Sequence, residues 1–365
     1  MSPGHIERGT VRVLFAYDIG LSIELERCRQ FVSGLTPDER IKHKGTAPQY
    51  FQFDPNPLRV VQGIEPVSIG RWKSTPAVEL TLFDFGGVSV AYDVPFSGSL
   101  EDMIELSCTL AGSPAFRRDS RARVENLLEL VREAVTKPNV DVLDEDYLVF
   151  QVDALPGVGE RGIDPLVAHD VARLLRSESD PLGEQEVQDA LSGRVSFGPD
   201  DVALIDWNAA LLVDREPDDV LAVLEFANLQ LLEMRFLDAQ LDRALDRTYE
   251  ASLRPRRLVS LRPPGATRNE LWRVAQMKVD SAILFERVSN AIKMLGDQYL
   301  ARVYRQISLR FRTNEWNAAI LRKLETIESI YQKLHDHAAN LRIEVLEWII
   351  IVLIAAEIAL ALWVY

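Results

Sequence analysis

Cysteine is scarce in this chain: Cys28 and Cys108 are its only two in 365 residues, and their separation matches no metal or redox spacing. That excludes a disulfide framework and a cysteine-ligated metal, and both thiols are expected to be reduced and buried in a cytosol-like compartment. Basic excess is lacking too. Lys and Arg number 41 against 55 Asp and Glu, a net charge of −14, so no phosphate-tracking surface and no direct nucleic-acid partner are expected. The N-terminus has no basic stretch leading into an apolar core, which argues against a signal peptide. Glu7 and the strand-like run from Val11 to Tyr17 argue against a transit peptide. Apolar residues at 47% and charged residues at 26% are ordinary for a globular chain, and the length allows two domains with real cores.

One long apolar run is present, from Val345 to Tyr365. At 1.5 Å per residue it would span ~30 Å, the hydrocarbon thickness of a bilayer. Trp348 lies near one end, and Trp363 and Tyr365 lie at the other, where aromatic rings favour membrane interfaces. The Leu, Ile and Val residues each favour insertion by roughly 0.3–0.6 kcal/mol, outweighing one central acid at about +3. The expectation is a single-pass, C-terminal transmembrane helix over 345–365 in contact with the lipid bilayer. Arg322, Lys333 and Arg342 precede it, which would leave the N-terminal domain cytosolic. Glu347 falls at the rim. Glu357 falls inside the run, where it would pair within an oligomer, pair with a second protein, or be protonated. The alternative to a span is a core helix that is apolar all round.

Upstream, Ile320, Leu324, Ile327, Tyr331, Leu334, Ala338, Leu341 and Val345 recur at spacings of four and three, a heptad seam. A second seam, from Val220 through Leu224, Ala227, Leu231, Met234, Leu241 and Leu245, is broken at Asp238. A third holds Leu284, Val288, Ala291 and Leu295, and the breaker Arg262-Pro-Pro-Gly265 separates it from the second. Residues 215–344 therefore read as a helical stalk, either an intramolecular bundle or a coiled coil that self-associates. Residues 1–214 read as an α+β domain of short strands and helices without a βαβ rhythm. Its strands include a hairpin turned at Gly86-Gly87 and a pair flanking Asp206-Trp207-Asn208.

Motifs that carry chemistry are weak. Gly157-Val-Gly159-Glu-Arg-Gly162 has the glycine spacing of a dinucleotide loop between a strand and a helix, where backbone N–H groups would cradle a pyrophosphate. Pro156 and the charged Glu160-Arg161 argue for a surface loop instead, and no further βαβ unit follows. Asp84-Phe85-Gly86 spells a kinase magnesium triplet without the catalytic or ATP-binding loops, and reads as the hairpin turn. His335 and His337 stand two apart on a helix and so face different ways, which is unsuited to one metal. The acidic run Asp141–Asp146 lacks the glycine and spacing of a calcium loop and reads as a solvated loop, and His169-Asp170 as a half-buried polar pair. No catalytic residue, metal ligand or cofactor is assigned.

Leu346-Glu-Trp-Ile-Ile-Ile-Val-Leu-Ile-Ala-Ala-Glu357-Ile resembles the terminal signature of the YagE, or required-for-meiotic-nuclear-division, family, the domain of unknown function 155. Leu82-Phe-Asp-Phe-Gly-Gly-Val-Ser-Val-Ala91 is similar to that family's hairpin. The stretch Leu232-Glu-Met-Arg-Phe-Leu-Asp-Ala-Gln-Leu-Asp-Arg is similar to one of its helices. The resemblance implies a membrane-anchored oligomeric scaffold after a coiled coil, with a translation-related role in mitochondrial members and no catalytic residues to carry over. The resulting expectation is a non-enzymatic, tail-anchored, homo-oligomeric scaffold or adaptor that holds a protein partner at the membrane. The alternative is a nucleotide-binding or hydrolytic enzyme that uses the N-terminal domain.

Overall fold

The computed structural model describes residues 5–32, 55–159, 162–198, 201–253 and 298–364, with isolated helical positions at 272, 276, 279 and 282. In chain order the first elements are β1 (His5–Asp18), β2 (Ser22–Ile23), α1 (Leu25–Val32), β3 (Leu58–Gly63), β4 (Ser68–Ile69) and β5 (Trp72–Lys73). Then come β6 (Ala77–Leu82), β7 (Gly87–Ser99), α2 (Leu100–Leu110), α3 (Pro114–Val131), β8 (Val135–Thr136) and β9 (Asp144–Val152). A small hairpin, β10 (Val158–Gly159) and β11 (Gly162–Ile163), leads into α4 (Pro165–Arg176) and α5 (Glu184–Leu191). The last are β12 (Arg194–Val195), β13 (Val202–Ile205), β14 (Ala209–Val213), α6 (Asp218–Leu253), α7 (Gln298–Arg310) and α8 (Thr313–Val364).

Eight strands form one sheet in the order β12-β13-β14-β9-β1-β7-β6-β3. All neighbours are antiparallel except β14 and β9, which run parallel through a crossover containing α4 and α5. The long strand β1 is the spine, since its register runs along both β7 and β9. Alternation along β1 divides the core in two. Val11, Val13, Phe15 and Tyr17 join Met103 and Ile104 of α2, Phe116 and Leu127 of α3, and Val171 and Leu174 of α4 on one face. Leu14 and Ala16 join Tyr147, Val149 and Leu212, together with Val223, Leu224 and Ala227 of α6 and Val303 and Ile307 of α7, on the other.

The fold class is therefore mixed α/β around an eight-stranded sheet with helices on both faces, which corrects the expected α+β domain followed by a stalk. Part of the expected stalk, the first half of α6 together with α7, is the second covering layer. The seam of α6 was legible in the sequence, but its partner was not: a helix stripe buries equally well on a sheet or on another helix.

Two compact units divide the chain. The first is Met1–Phe236 with Glu286–Asn314 and contains the sheet; the second is Leu237–Phe285 with Glu315–Tyr365. In the second unit Leu237 and Leu241 of α6 and Ile320, Leu324 and Ile327 of α8 are buried within the single chain. Asp238, which interrupts the α6 seam, pairs with Lys323 at 2.6 Å, and the same ammonium reaches Asp242 at 2.6 Å. An intersubunit coiled coil is thus not needed to cover the described part of the α8 seam, and the coiled-coil expectation is corrected to intramolecular burial. Tyr331 and the seam positions between 334 and 345 have side chains outside the described residues.

Among the described residues no helix is long and apolar enough to cross a membrane. Between Glu347 and Glu357 the uninterrupted apolar stretch of α8 is Trp348–Ala356, nine residues, or ~14 Å of helix against the ~30 Å of a hydrocarbon core. The single-pass transmembrane anchor, the tail-anchored arrangement and the membrane localisation are corrected accordingly.

The β6–β7 hairpin closes as the glycines predict. Phe83 N–H donates to the Gly87 carbonyl at 2.9 Å, and Gly86 has φ +105°. A Cβ on Gly86 would overlap the Gly20 carbonyl oxygen, in the turn that follows β1. Gly86→Ala combines left-handed strain with a backbone clash, so it should cost about 2–4 kcal/mol in urea unfolding, well above an ordinary Gly→Ala change.

Candidate functional site

Asp206 ends β13 and is fully buried. Its backbone N–H donates to the Ala209 carbonyl at 2.9 Å and closes the β13–β14 turn, while the Tyr147 hydroxyl donates to its carbonyl at 2.8 Å. Two arginines reach its carboxylate: Arg176 Nε stands 2.5 Å from Oδ2 and Arg310 Nη1 stands 3.6 Å from Oδ1. Arg176 is the last residue of α4 and Arg310 the last of α7, so the carboxylate ties helices from opposite faces of the sheet to one strand end. Two acids of α5 complete the cluster: Asp189 lies 2.6 Å from Arg176 and 3.2 Å from Arg310, and Glu186 lies 3.1 Å from Arg176. Arg310 also donates to the Ser192 hydroxyl at 2.7 Å. Burial pushes the Asp206 carboxyl above its ordinary range, against the pull of Arg176 and Arg310. Trp207 stands half exposed beside this cluster, with the Arg176 guanidinium 5.8 Å from its ring. Its chemistry is that of a clamp, because both guanidiniums are already engaged by carboxylates of the chain.

At the same end of the sheet, where β1 finishes and β9 begins, lies a group of acids. Burial, which dominates, and the neighbouring Asp141 push the Asp18 carboxyl up to about 7, although Gly20 N–H donates to it at 2.9 Å. Burial also pushes Glu145 up to about 7, opposed by its ion pair with Arg235. Arg117 bridges Asp144 at 3.3 Å and Asp146 at 2.8 Å. The acidic run Asp141–Asp146 is thus largely paired, and no cluster with metal-ligand composition occurs among the described residues. A polar cleft of about 350 Å³ opens at the β1 bulge beside the start of α6, lined by Arg8, Thr10, Gln151, Asp153, Arg215 and Asp218. Two guanidiniums and two carboxylates leave it no net charge with which to select an ion.

Gly157, Gly159 and Gly162 fall in the β10–β11 hairpin, whose pairs are Val158↔Ile163 and Gly159↔Gly162. Gly157 has φ +87° and Gly162 φ +133°. Glu160 and Arg161 lie outside the described residues. The strands are antiparallel, and Asp164 caps α4 by accepting from Leu166 N–H at 2.9 Å. A carboxylate therefore occupies the helix end where a phosphate would sit.

Glu347, Trp348, Glu357 and Trp363 lie on α8. Glu347 is exposed on α8, the side chains of Trp348, Glu357 and Trp363 lie outside the described residues, and so does Tyr365. Between them Ile349, Ile350, Ile351, Val352, Leu353 and Ile354 are all exposed, each at 49–63%. Six consecutive positions cover every side of a helix at 100° per residue, so this segment is apolar and open all round. His335 and His337 lie on the same helix with side chains outside the described residues.

What sequence reasoning missed is the long-range pairing. Arg176, Asp206 and Arg310 share no spacing rule. The one usable signal was an acid at the end of an apolar strand, as Glu225 is an acid inside an apolar helix stretch.

A mixed α/β core around an eight-stranded, predominantly antiparallel sheet is the class that these features define. Residues 8–219 match the family described as "Uncharacterized protein MJ0711, N-terminal domain", and the chain belongs to that family. It is similar to Uncharacterized protein MJ0711 of Methanocaldococcus jannaschii, 24% identical over 194 residues. The match covers 53% of this chain and 58% of that relative, so the chain spans little more than half of the relative's length. No solved structure matches. The resemblance to the YagE and required-for-meiotic-nuclear-division family is corrected by these matches. An apolar helix, a glycine hairpin and the helical stretch from Leu232 carried it, and such segments recur wherever the same local physics is needed.

Asp206→Asn keeps the shape but removes the one fully buried carboxylate between Arg176 and Arg310, leaving them the more exposed Asp189 and Glu186, and should cost about 1–3 kcal/mol in urea unfolding. Asp18 yields a pH test. Its folded-state proton affinity is raised from 3.8 to about 7, so its stabilising contribution is full below pH ~4 and is lost as pH rises through ~7. Asp18→Asn, which keeps the acceptor for Gly20, should flatten that fall in the urea midpoint over this window.

Proposed function

We propose that the protein is a non-enzymatic, self-associating adaptor, assembled through the C-terminal part of α8, that presents its α/β unit to a protein partner. One observation carries the reading: the consecutive exposed residues from Ile349 to Ile354, joined by exposed Ile358. An apolar patch of this kind on a soluble surface marks an interaction site. Because the segment is apolar on all sides, a groove that takes one face would leave the others in water. Several helices of matching apolar length enclose it, and further copies of the same segment supply them in a closed symmetric assembly. The engaged arginines of the α/β unit and the capped N-terminus of α4 favour this over a nucleotide-binding or hydrolytic enzyme.

Sedimentation of the full-length chain over a range of micromolar concentrations tests the reading. The expected result is a discrete multiple of 41.2 kDa that falls to the monomer when Ile351→Asp and Ile354→Asp are combined. A monomeric wild-type chain would overturn it, as would an oligomer indifferent to the double substitution, or a chain that binds lipid vesicles while staying monomeric.

A further inference from the structure

A second polar group lies on the sheet face that α6 covers. Arg12 of β1 grips Asp93 of β7 with Nε at 2.9 Å and Nη2 at 3.3 Å, and approaches Glu79 of β6 at 3.9 Å. Arg59 of β3 holds Glu79 at 2.9 Å and reaches Glu225 of α6 only at 3.6 Å. Three carboxylates thus share two guanidiniums. Asp93 has a two-pronged partner and Glu79 has two partners, so Glu225 is the odd acid. It is also the most buried of the five, its side chain 5% exposed.

Beneath it, Thr81 and Ser89 are cross-strand neighbours in the β6–β7 register, and both are buried. Their hydroxyl oxygens and Glu225 Oε1 make no hydrogen bond of ordinary geometry within the described residues, although Ser89 stands beside the Glu225 carboxyl. Buried polar atoms left in this way cost free energy, and a buried unpaired carboxylate costs more. One proton removes both costs. It balances the charge and gives Glu225 one O–H that a hydroxyl can accept, which frees that hydroxyl's own proton to be donated to the other.

We propose that Glu225 is held as a neutral carboxylic acid donating to the Ser89–Thr81 hydroxyl pair, so that α6 is seated on the sheet by a proton-dependent latch. The groups facing Glu225 are Arg12 and Arg59, with Glu79, Thr81 and Ser89, and Asp93 stands behind Arg12. Burial is the dominant influence on the Glu225 carboxyl and raises its proton affinity; Glu79 adds to this, while Arg59, Arg12 and the Ser89 hydroxyl oppose it. Ionisation releases that proton to solvent and leaves one uncompensated charge under the helix, which loosens its N-terminal half.

Infrared difference spectra of the full-length chain at neutral pH, wild type minus Glu225→Gln, read the proton directly. Acids common to both, such as Asp18 and Glu145, cancel. The expected result is a protonated-carboxyl band that the variant lacks, with amide exchange along α6 that accelerates above neutral pH beyond its intrinsic rise only in the wild type. Glu79→Gln supplies an independent arm: with two carboxylates against two guanidiniums, Glu225 should ionise and the same band should vanish. A band unchanged in either variant overturns the proposal. So does a thermal midpoint that follows sodium against choline at constant ionic strength, which would place a cation where we place the proton.

Discussion

The buried Asp206 carboxylate is the contact on which the layering of this protein depends. A sheet covered by helices on both faces must hold two independent layers in register. Apolar contact alone is poorly directional, since it scales with area rather than angle. Asp206 supplies direction by meeting Arg176 from the α4 layer and Arg310 from the α7 layer at one strand end. Desolvating three charges is costly, and such groups are often worth less than an apolar replacement would be. What they contribute here is position, as an arrangement that tolerates no slip of either helix.

Polar groups under α6 follow the same logic along β1 and β9. β1 contributes Arg12 and Asp18 to that face, β9 contributes Glu145, and α6 contributes Glu225 and Arg235. Each acid is buried enough for desolvation to compete with its partners, so protonation and packing are coupled in this unit. Against such an interior, the open apolar length of α8 is the exception. It is the one extended apolar surface in the described residues that the chain does not cover.

Membership of the MJ0711 N-terminal-domain family extends over residues 8–219, from β1 to the first turn of α6. That span contains the sheet, the α1–α5 elements and Asp206, but not Arg310 or Glu225. The second covering layer and the apolar helix therefore lie beyond the matched region. The clamp at Asp206 joins the matched part to the part that follows it.

Local physics was legible in the sequence alone. The glycine hairpin at Gly86-Gly87, the tight turn at Asp206-Trp207-Asn208, the long helices and the apolar C-terminal run all follow from periodicity and turn chemistry acting over a few residues. Pairing at a distance was not. Whether the α6 seam meets a sheet or a helix, why Asp238 interrupts it, and which cations answer Asp206 and Glu225 depend on residues tens to more than a hundred positions away. An apolar stripe specifies that it must be buried, but not against what, and a charge specifies a need for a partner without naming it. Only the tertiary structure decided those matches, because burial and Coulomb attraction act through space and leave no spacing rule along the chain.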